Sequence, residues 1–526
     1  MGRIGSSFRL LRAWWILSRE GVVRALPGAE LAGGAKLLYR LSCWLAKKQN
    51  QHQQALNNIS RAVHRLGPSY VKLGQFLATR PDIVGQEMAK DLAQLEDQAP
   101  QFSQACAIEQ IENSLRKKIN DIFVEFHPPI AAASMAQVHP ATIRSEDGTL
   151  EKVAVKIIRP GVRERFIRDL GDFAFAAQLQ EYFFPSSRRL RPTEIVKNLH
   201  QITKLELDLR LEAAAISEMA QNTEDDKDFR VPKVDWQRSG RSLLTMEWID
   251  GIKISDKEKL EKAGYDLPRL ATKLMRIFLR QALYYGFFHA DMHPGNLFID
   301  KKGRIVAVDF GITGRLGAKE QYFLAEILYG FIKRDYQRVA AAHFAAGYVP
   351  PFHNVSHFAQ ANRAIGEPIH GHNAQSISMA KLLNLLFEIT ELFDMQTRPE
   401  LLLLQKTMVV VEGVARQLDP RFNMWEAASP VIRNWMQQNM GAKGLAKEMR
   451  NAQYALHAFM RKIPDYLIAV DAMLQHGHKV AQEGLFFADT TLERLAQFQQ
   501  TKRRRSYVLW IVLACVISIT IKFCLQ

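Results

Sequence analysis

Cysteine is scarce in this chain, with four residues (Cys43, Cys106, Cys515 and Cys524) scattered over 526 positions. They lack the spacing of a metal site, and their small number argues against a disulfide-stabilised secreted domain. We therefore expect a reducing compartment. A composition that is 47% hydrophobic and 24% charged is typical of globular proteins, and the length predicts about two to four structural units.

Acidic residues are outnumbered by basic ones. The chain has 70 lysines and arginines against 54 aspartates and glutamates, a formal charge of +16. An excess of this size predicts an anionic partner, such as nucleic acid, an acidic membrane surface or nucleotide phosphates. The sequence contains no evident nucleic-acid recognition module, so we do not expect nucleic acid to be the partner.

Long apolar runs are also rare, and the clearest lies at the C-terminus. Residues 507–521 are uninterrupted and nearly uncharged, which predicts a transmembrane helix over residues 506–525 because roughly 20 apolar residues cross a bilayer. A buried core helix is the alternative, but the terminal position and the flanking charge favour the membrane. The basic cluster at 502–505 predicts that the body of the protein is cytoplasmic.

The N-terminal segment, residues 1–46, lacks the apolar core and cleavage site of a secretory signal. It combines tryptophans, such as Trp14 and Trp15, with several arginines. Two interpretations remain open. The segment forms a helix in the membrane interface, which tryptophan and arginine favour, or a helix packed on the protein body.

The stretch from 287 to 311, FFHADMHPGNLFIDKKGRIVAVDFG, carries the strongest chemical signal. Asp291 is followed by Asn296, then by a predicted β-hairpin over residues 297–308 that ends on Asp309. This order is typical of a phosphoryl-transfer site, in which a carboxylate takes the acceptor proton and a carboxamide and a second carboxylate hold Mg²⁺. Asn296 and Asp309 supply the hard oxygen ligands that Mg²⁺ prefers.

Upstream, two strands are predicted at residues 141–144 and 152–158, separated by a turn at 146–148. The second strand carries the run VAVK, which ends on Lys156. A hairpin of this kind occupies the place of a kinase nucleotide-covering loop and its strand lysine. Lys156 is therefore predicted to contact nucleotide phosphates.

Further candidates lie on either side of this hairpin. A predicted helix downstream places carboxylates where a kinase carries the glutamate that pairs with its lysine: Glu206, Asp208 and Glu212. The segment 246–251, which includes Glu247, is predicted to be the hinge whose backbone groups bond adenine. Histidines without metal-type spacing are expected to be solvated: His343, His353, His357, His370 and His372.

These features predict an α+β protein with a two-lobed, protein-kinase-like fold. We expect a helical N-terminal extension over residues 1–125, an N-terminal lobe over 126–248 and a helical C-terminal lobe over 249–500. The transmembrane helix at 506–525 completes the predicted organisation.

Six motifs in order carry a family resemblance. They are KLGQ (72–75), AAASMAQVH (131–139), VAVK (153–156), ELD-x3-E (206–212), HADMHPGN (289–296) and DFG (309–311). Over about residues 60–420, the chain resembles the UbiB/ADCK family of atypical protein-kinase-like proteins.

The resemblance implies specific roles. An alanine-rich loop would replace the usual glycine-rich nucleotide loop, comprising Ile130, Ala131, Ala132, Ala133, Ser134, Met135, Ala136, Gln137 and Val138. Lys156 would pair with Glu212, although Glu206 remains a candidate partner because Ala215 departs from the family pattern. The helix with Lys72 and Gln75 would fold over the site, with Lys72 near Glu206 and Asp208. By spacing alone, Lys72 and Gln75 indicate only a solvated helix face.

The resemblance also implies a function. We expect ATP and Mg²⁺ as cofactors and a role in ubiquinone biosynthesis at the bacterial inner membrane, with biosynthetic enzymes or polyprenyl-phenol intermediates as partners. Alanines restrict the close backbone approach that glycines permit, so slow ATP hydrolysis is expected rather than efficient protein phosphorylation. Ala290 replaces the arginine of H-R-D, which argues against control by a phosphorylated activation loop.

Two alternatives remain open. One is a small-molecule kinase of the aminoglycoside or choline phosphotransferase type, because HADMHPGN is similar to the loop of those enzymes. The other is a scaffold that nucleotide occupancy organises. The sequence does not determine the phosphoryl acceptor, the oligomeric state, or whether one or two segments cross the membrane.

Overall fold

Within the described residues, two larger β-sheets, a two-stranded sheet and a set of helices position the predicted motifs. The computed structural model describes residues 3–22, 34–45, 55–78, 100–183, 191–370 and 399–440, with a few isolated residues between and after these ranges. The transmembrane helix predicted at 506–525 lies outside the described residues. Within the part of the chain that is described, no helix is long and apolar enough to cross a membrane.

Helices precede the first sheet, as predicted for the N-terminal extension. They are α1 (Arg3–Arg19), α2 (Gly34–Leu45), α3 (Ala55–Leu66), α4 (Pro68–Ala78), α5 (Gln104–Leu115) and α6 (Ile119–Ile122). Gly67 separates α3 from α4, which begins at Pro68. Gly67 adopts a φ of +106°, a conformation that glycine reaches without a Cβ clash.

The first sheet belongs to the N-terminal lobe and has the strand order β1-β3-β4-β7-β6, with β2 paired to β3. Its strands are β1 (Glu125–Phe126), β2 (Ala131–Ala132), β3 (Ala136–Arg144), β4 (Leu150–Ile158), β6 (Val234–Gly240) and β7 (Leu243–Glu247). Between β4 and β6, the described residues form the helices α7 (Val162–Phe183), α8 (Pro192–Glu206) and α9 (Leu209–Asn222). The strands predicted at 141–144 and 152–158 are confirmed, and both extend further than predicted.

The second sheet has the order β5-β11-β10-β8, and a separate pair joins β9 to β12. These strands are β5 (Phe229–Arg230), β8 (Gly251–Lys253), β9 (Phe287–His289), β10 (Leu297–Asp300), β11 (Ile305–Ala307) and β12 (Thr313–Arg315). The predicted hairpin over 297–308 is confirmed as β10 and β11, which pair antiparallel.

Helices make up most of the described part of the C-terminal lobe. They are α10 (Lys257–Lys262), α11 (Leu267–Arg280), α12 (Ala318–Lys333), α13 (Tyr336–Ala345), α14 (Val355–His370), α15 (Pro399–Leu418) and α16 (Met424–Met440). A π-helical turn, Gln281–Tyr285, follows α11 and ends at Gly286. Gly286 has a φ of +61°, and a Cβ there would collide with the carbonyl of Leu316.

At the level of the fold, three expectations differ from the structure. Phe229–Arg230, assigned above to the N-terminal lobe, pairs with β11 in the second sheet. The predicted helix through 206–212 is interrupted, because the Asp208 side chain caps α9 by accepting from Arg210 N. His343 is not solvated: it is buried, and burial lowers its pKa to about 4.

Alternation along β4 explains how the lysine reaches the other lobe. Val153, Val155 and Ile157 belong to the apolar cluster that includes Ala107 and Ile111 of α5. Successive strand residues point to opposite faces, so Lys156 points away from that cluster. The period-2 pattern therefore directs its ammonium group toward α9 and the C-terminal lobe.

Gly314 permits close packing of β12 against β9, the strand that precedes Asp291. It lies opposite Phe288 in the β9–β12 pair, and an added Cβ would overlap the Phe288 ring, which is fully buried. We predict that Gly314→Ala lowers the free energy of unfolding by about 1–3 kcal/mol, the usual range for overpacking. Thermal or denaturant unfolding of the purified chain would measure this change.

Gly413→Ala is the matched control. Gly413 lies within α15, and a Cβ there meets nothing within 4 Å. The same substitution should stabilise the protein by about 0.5–1 kcal/mol, since alanine restricts the unfolded backbone more than glycine does. Equal effects of the two substitutions would show that the Phe288 contact is not the cause.

Candidate active site

Lys156 lies between two carboxylates from different parts of the chain. Its Nζ donates to Glu212 Oε1 at 2.8 Å and to Asp309 Oδ1 at 3.0 Å. Glu212 is on the first turn of α9, and Asp309 follows β11. The structure therefore pairs Lys156 with Glu212 and not with Glu206, which resolves the alternative that the sequence left open.

The two carboxylates differ in exposure. The Glu212 side chain is 6% exposed and the Asp309 side chain is 47% exposed. A buried carboxylate stays in place because leaving it without the ammonium would be costly, whereas an exposed carboxylate exchanges with solvent ligands readily. Asp309 can therefore turn to a cation while Glu212 continues to hold Lys156.

The electrostatics follow from one ammonium shared by two carboxylates. Burial by itself lowers the pKa of Lys156, but attraction to Asp309 and Glu212 outweighs it and raises the pKa above its ordinary value. Burial raises the pKa of Glu212 to about 7, with Lys156 opposing this shift and Asp309 adding to it. Burial would also raise the pKa of Asp309, but Lys156 outweighs it and lowers the pKa.

Asp291 and Asn296 form the second part of the site. Asn296 Nδ2 donates to Asp291 Oδ2 and to the Asp291 carbonyl, each at 3.1 Å. The backbone N–H of Val308 donates to the Asn296 carbonyl at 2.9 Å, which joins this loop to the strand end that precedes Asp309. The predicted catalytic and metal residues therefore belong to one connected loop and hairpin.

His289 supports this loop and was missed as a separate contributor in the sequence. Its Nδ1 accepts from Asp291 N at 3.0 Å, and its ring meets Phe310 edge-on at 4.6 Å. Burial lowers its pKa, although Asp291 and Asp309 both oppose that shift. A neutral ring is required to accept the Asp291 hydrogen bond at Nδ1. The signal was present in the sequence, because His289 opens the HADMHPGN motif.

The donor set suits a magnesium ion bound to nucleotide. The amide nitrogen of Asn296 is used by Asp291, which leaves its oxygen as the atom suited to a cation, and the Asp309 carboxylate is accessible. Within the described ranges no group of three or more His, Cys, Asp or Glu side chains could hold a metal by itself. Two protein oxygens completed by phosphates and water match the way that proteins usually hold Mg²⁺.

The alanine-rich segment folds as a tight hairpin next to Lys156. Ala131 pairs with Val138 across β2 and β3, and Val138 pairs with Lys156 across β3 and β4. At the turn, Ala133 N donates to Ala136 O at 2.8 Å. Part of the segment predicted as a loop is therefore strand, and it lies beside the lysine as the resemblance implied.

Gln137 belongs to this hairpin, but its side chain is used elsewhere. It is buried, its Oε1 accepts from Phe102 N at 3.1 Å, and its Nε2 donates to Phe102 O at 3.2 Å. Arg159, which the sequence did not single out, donates to the carbonyls of Pro100 at 2.7 Å and Ala133 at 3.2 Å. These bonds fasten the hairpin to the end of the N-terminal extension.

Glu247 lies at the predicted hinge, with its side chain engaged in an ion pair. Arg230 Nη1 donates to both of its carboxylate oxygens, at 2.9 and 3.0 Å, and Arg230 Nε donates to Asp300 at 3.2 Å. Arg230 therefore connects β7 of the first sheet to β10 of the second. Because Arg230 uses the Glu247 carboxylate, only the backbone of Glu247 is suited to contact adenine.

The helix α4 carries the predicted regulatory residues. Lys72 Nζ lies 2.6 Å from Glu206 Oε1, at the end of α8. Gln75 Nε2 donates weakly to the Leu95 carbonyl at 3.4 Å. Asp208 pairs instead with Arg210 at 2.6 Å and lies 3.8 Å from Arg241, so the expectation that Lys72 meets both carboxylates holds for Glu206 alone.

Comparison with known proteins identifies the family. A model described as an ABC1 atypical kinase-like domain matches residues 94–343, and one described as a UbiB helical domain matches residues 362–423. A protein named "Probable protein kinase UbiB" from Marinobacter nauticus is 37% identical over 512 residues, covering 96% of this chain and 92% of the relative. The chain belongs to the UbiB family of atypical kinases.

A solved structure is also similar. It is that of Rv3197 with erythromycin from Mycobacterium tuberculosis, 23% identical, covering 72% of this chain and 96% of that chain, with a TM-score of 0.47. This likeness is too distant to compare individual residues or ligands.

Family membership makes the chain an atypical kinase-like enzyme, and both parts of the site lie within the matched kinase-like domain. The UbiB helical domain also touches the site. Thr407, in that domain, donates from its hydroxyl to the Ala290 carbonyl at 3.0 Å, directly before Asp291. A helix of the second domain therefore supports the catalytic loop of the first.

The raised pKa of Glu212 predicts a pH-dependent stability. A carboxyl with a folded-state pKa of about 7 against an ordinary 4.5 binds its proton more tightly in the folded state. Its stabilising contribution is complete below pH 4.5 and is lost as the pH rises through 7. The wild type should therefore lose stability relative to Glu212→Gln, by about 1–3 kcal/mol, as the pH rises across this window.

Unfolding midpoints measured at several pH values would test this prediction. Glu218→Gln is the matched control, since Glu218 lies on the same helix and pairs with Arg315 in an exposed ion pair. That substitution removes a carboxylate of the same helix outside the Lys156 site, so it controls for the loss of a negative charge there. A difference between the wild type and Glu212→Gln that grows in favour of the wild type with rising pH would contradict the assigned direction.

Proposed function

We propose that this chain is a membrane-anchored Mg-ATP-dependent kinase or ATPase that supports ubiquinone biosynthesis at the bacterial inner membrane, with its catalytic body on the cytoplasmic side. The observation that carries the proposal is the contact of Lys156 with both Glu212 and Asp309, at 2.8 and 3.0 Å. The resemblance to ubiquinone-linked relatives supports the role in ubiquinone biosynthesis. The apolar run at 507–521 supports the predicted transmembrane anchor.

Each side chain has a role in this mechanism. Lys156 binds the α- and β-phosphates, and buried Glu212 keeps its ammonium oriented. Asn296 and Asp309 would hold Mg²⁺, which neutralises charge on the phosphates when bound. Asp291 accepts the proton of the attacking hydroxyl or water, with its position set by His289 and Asn296.

The N-terminal attachments favour a small acceptor over a protein substrate. Pro100 and Phe102 are fastened to the alanine-rich hairpin by Arg159 and Gln137, and Lys72 ties α4 to α8. A helical extension held at several points leaves little freedom to admit a folded protein. ATP hydrolysis, or transfer to a small phenolic intermediate of ubiquinone biosynthesis, suits this arrangement better.

The nucleotide site is tested by Lys156→Met. Loss of a charge-assisted phosphate contact should weaken Mg-ATP binding about 10- to 100-fold, measured by titration calorimetry. Lys118→Met is the control, because it removes an equal charge and an exposed ion pair with Glu112. The control should bind Mg-ATP as the wild type does. Equal affinity of the two variants would refute the assignment of Lys156.

The catalytic role is tested by Asp291→Asn. This variant should retain Mg-ATP binding, lose ATP turnover and fail to complement a ubiquinone-deficient strain, because an amide cannot accept the proton. Glu194→Gln, which removes an exposed carboxylate paired with Arg191, should complement fully.

Other outcomes separate the alternatives. Complementation by a binding-competent but inactive Asp291→Asn protein would favour a nucleotide-organised scaffold. Product analysis by ³¹P NMR distinguishes free phosphate from a phosphorylated small molecule, which would favour the small-molecule kinase. Efficient phosphorylation of generic peptides would contradict the expected preference for a small acceptor.

A further inference from the structure

Helix α1 is packed firmly on the protein body by one face. Ala13 and Ile16 are buried, and Arg9 forms a bidentate ion pair with Asp172 of α7 at 2.5 and 2.7 Å. Just beyond the helix, buried Glu20 pairs with Arg65 of α3. The packed alternative for the N-terminal segment is therefore correct for this face.

The opposite face of α1 exposes large apolar side chains. Phe8, Leu11 and Trp15 are all exposed, with Phe8 exposed by 71%. Their spacing of three and four residues places them on one stripe of the helix. An exposed stripe of this kind is unusual on a soluble surface, where scattered single residues are the norm.

Helix α2 adds to this surface. It meets α1 through a hydrogen bond between the buried hydroxyls of Ser18 and Ser42, at 3.0 Å. On either side of Ser42, Leu41 and Trp44 are exposed, and Trp44 is exposed by 81%. The two helices thus present aromatic and aliphatic groups around a shared, well-packed contact.

The charges on these helices have one sign. Neither α1 nor α2 contains an acidic residue, whereas Arg12, Arg19 and Arg40 are exposed. The Arg19 guanidinium lies 5.0 Å from the centroid of the Trp15 ring. The nearest acid along the chain, Glu20, is buried and paired. Within α1 and α2 as the structure describes them, the surface therefore offers cations and aromatic rings and no acidic side chain.

We infer that this surface, formed by Phe8, Leu11, Trp15, Leu41 and Trp44 with Arg12 and Arg19, docks on a bilayer that carries anionic lipid headgroups. Aromatic rings favour the headgroup level, and arginines there bind lipid phosphates. The inference rests on the proposed membrane association and adds a second contact that is separate from residues 506–525. It fixes which face of the N-terminal extension meets the lipid.

Quenching of tryptophan fluorescence by lipids with brominated acyl chains tests this surface in the full chain. The wild type and a Trp15→Phe, Trp44→Phe double variant are compared on vesicles of phosphatidylcholine with phosphatidylglycerol. The chain has eight tryptophans. Removing two that contact lipid should lower the quenched fraction of the emission. Trp236→Phe, at an exposed position on β6, is the control and should leave that fraction at or above its wild-type value.

The arginines give an independent measurement. Arg12→Ser with Arg19→Ser should reduce the quenching of Trp15 and Trp44 in anionic vesicles to the level found in pure phosphatidylcholine. Flotation with the vesicles should persist, because the predicted anchor at 506–525 is unchanged. Failure of the wild type to float would instead count against the proposed membrane anchor, which keeps the two ideas distinguishable.

Two results would overturn the inference. One is a quenched fraction that the double variant leaves unchanged while the wild type floats. The other is a lipid-independent dimer, detected by sedimentation, that Trp44→Ala dissociates, since a second copy would then cover this surface. Unfolding midpoints of each variant should match the wild type, because the substituted side chains are exposed.

Discussion

The pairing of Lys156 with Glu212 is the interaction on which the rest of this site depends. Both side chains are largely buried, so separating them would leave a charge without a partner in a low-dielectric environment, at a cost of about 3–5 kcal/mol. The pair therefore holds α9 against β4 in one position. That position in turn determines where the ammonium lies and how Asp309 approaches it.

Asp309 is the adjustable member of this group. It adopts a φ of +53°, in the left-handed region, which costs a non-glycine residue about 1–2 kcal/mol. The conformation is held by Lys156 and by Gly311 N, which donates to Asp309 Oδ1 at 3.2 Å. An exposed carboxylate kept in a strained conformation next to a fixed ion pair is suited to exchanging one cationic partner for another.

Polar contacts attach the N-terminal extension to the alanine-rich hairpin and to α8. Arg159 and Gln137 join Pro100 and Phe102 to the alanine-rich hairpin, and Lys72 joins α4 to the end of α8. The outer face of α1 exposes aromatic and cationic side chains, which the inference above assigns to contact with lipid. In the proposed function, a body fastened in this way would relate contact with a membrane to the hairpin next to Lys156.

The sequence by itself determined the motifs and their local structure. The alternation of β4, the hairpin before Asp309 and the break at Gly67 all follow from short-range patterns, because strand period and turn residues act over a few positions. Tertiary structure alone decided that Lys156 pairs with Glu212 rather than Glu206, and that Arg230 forms an ion pair with Glu247. These pairings depend on Asp208, which caps the start of α9, and on the orientation of the helices relative to the sheet. Residue spacing along the chain does not encode that orientation.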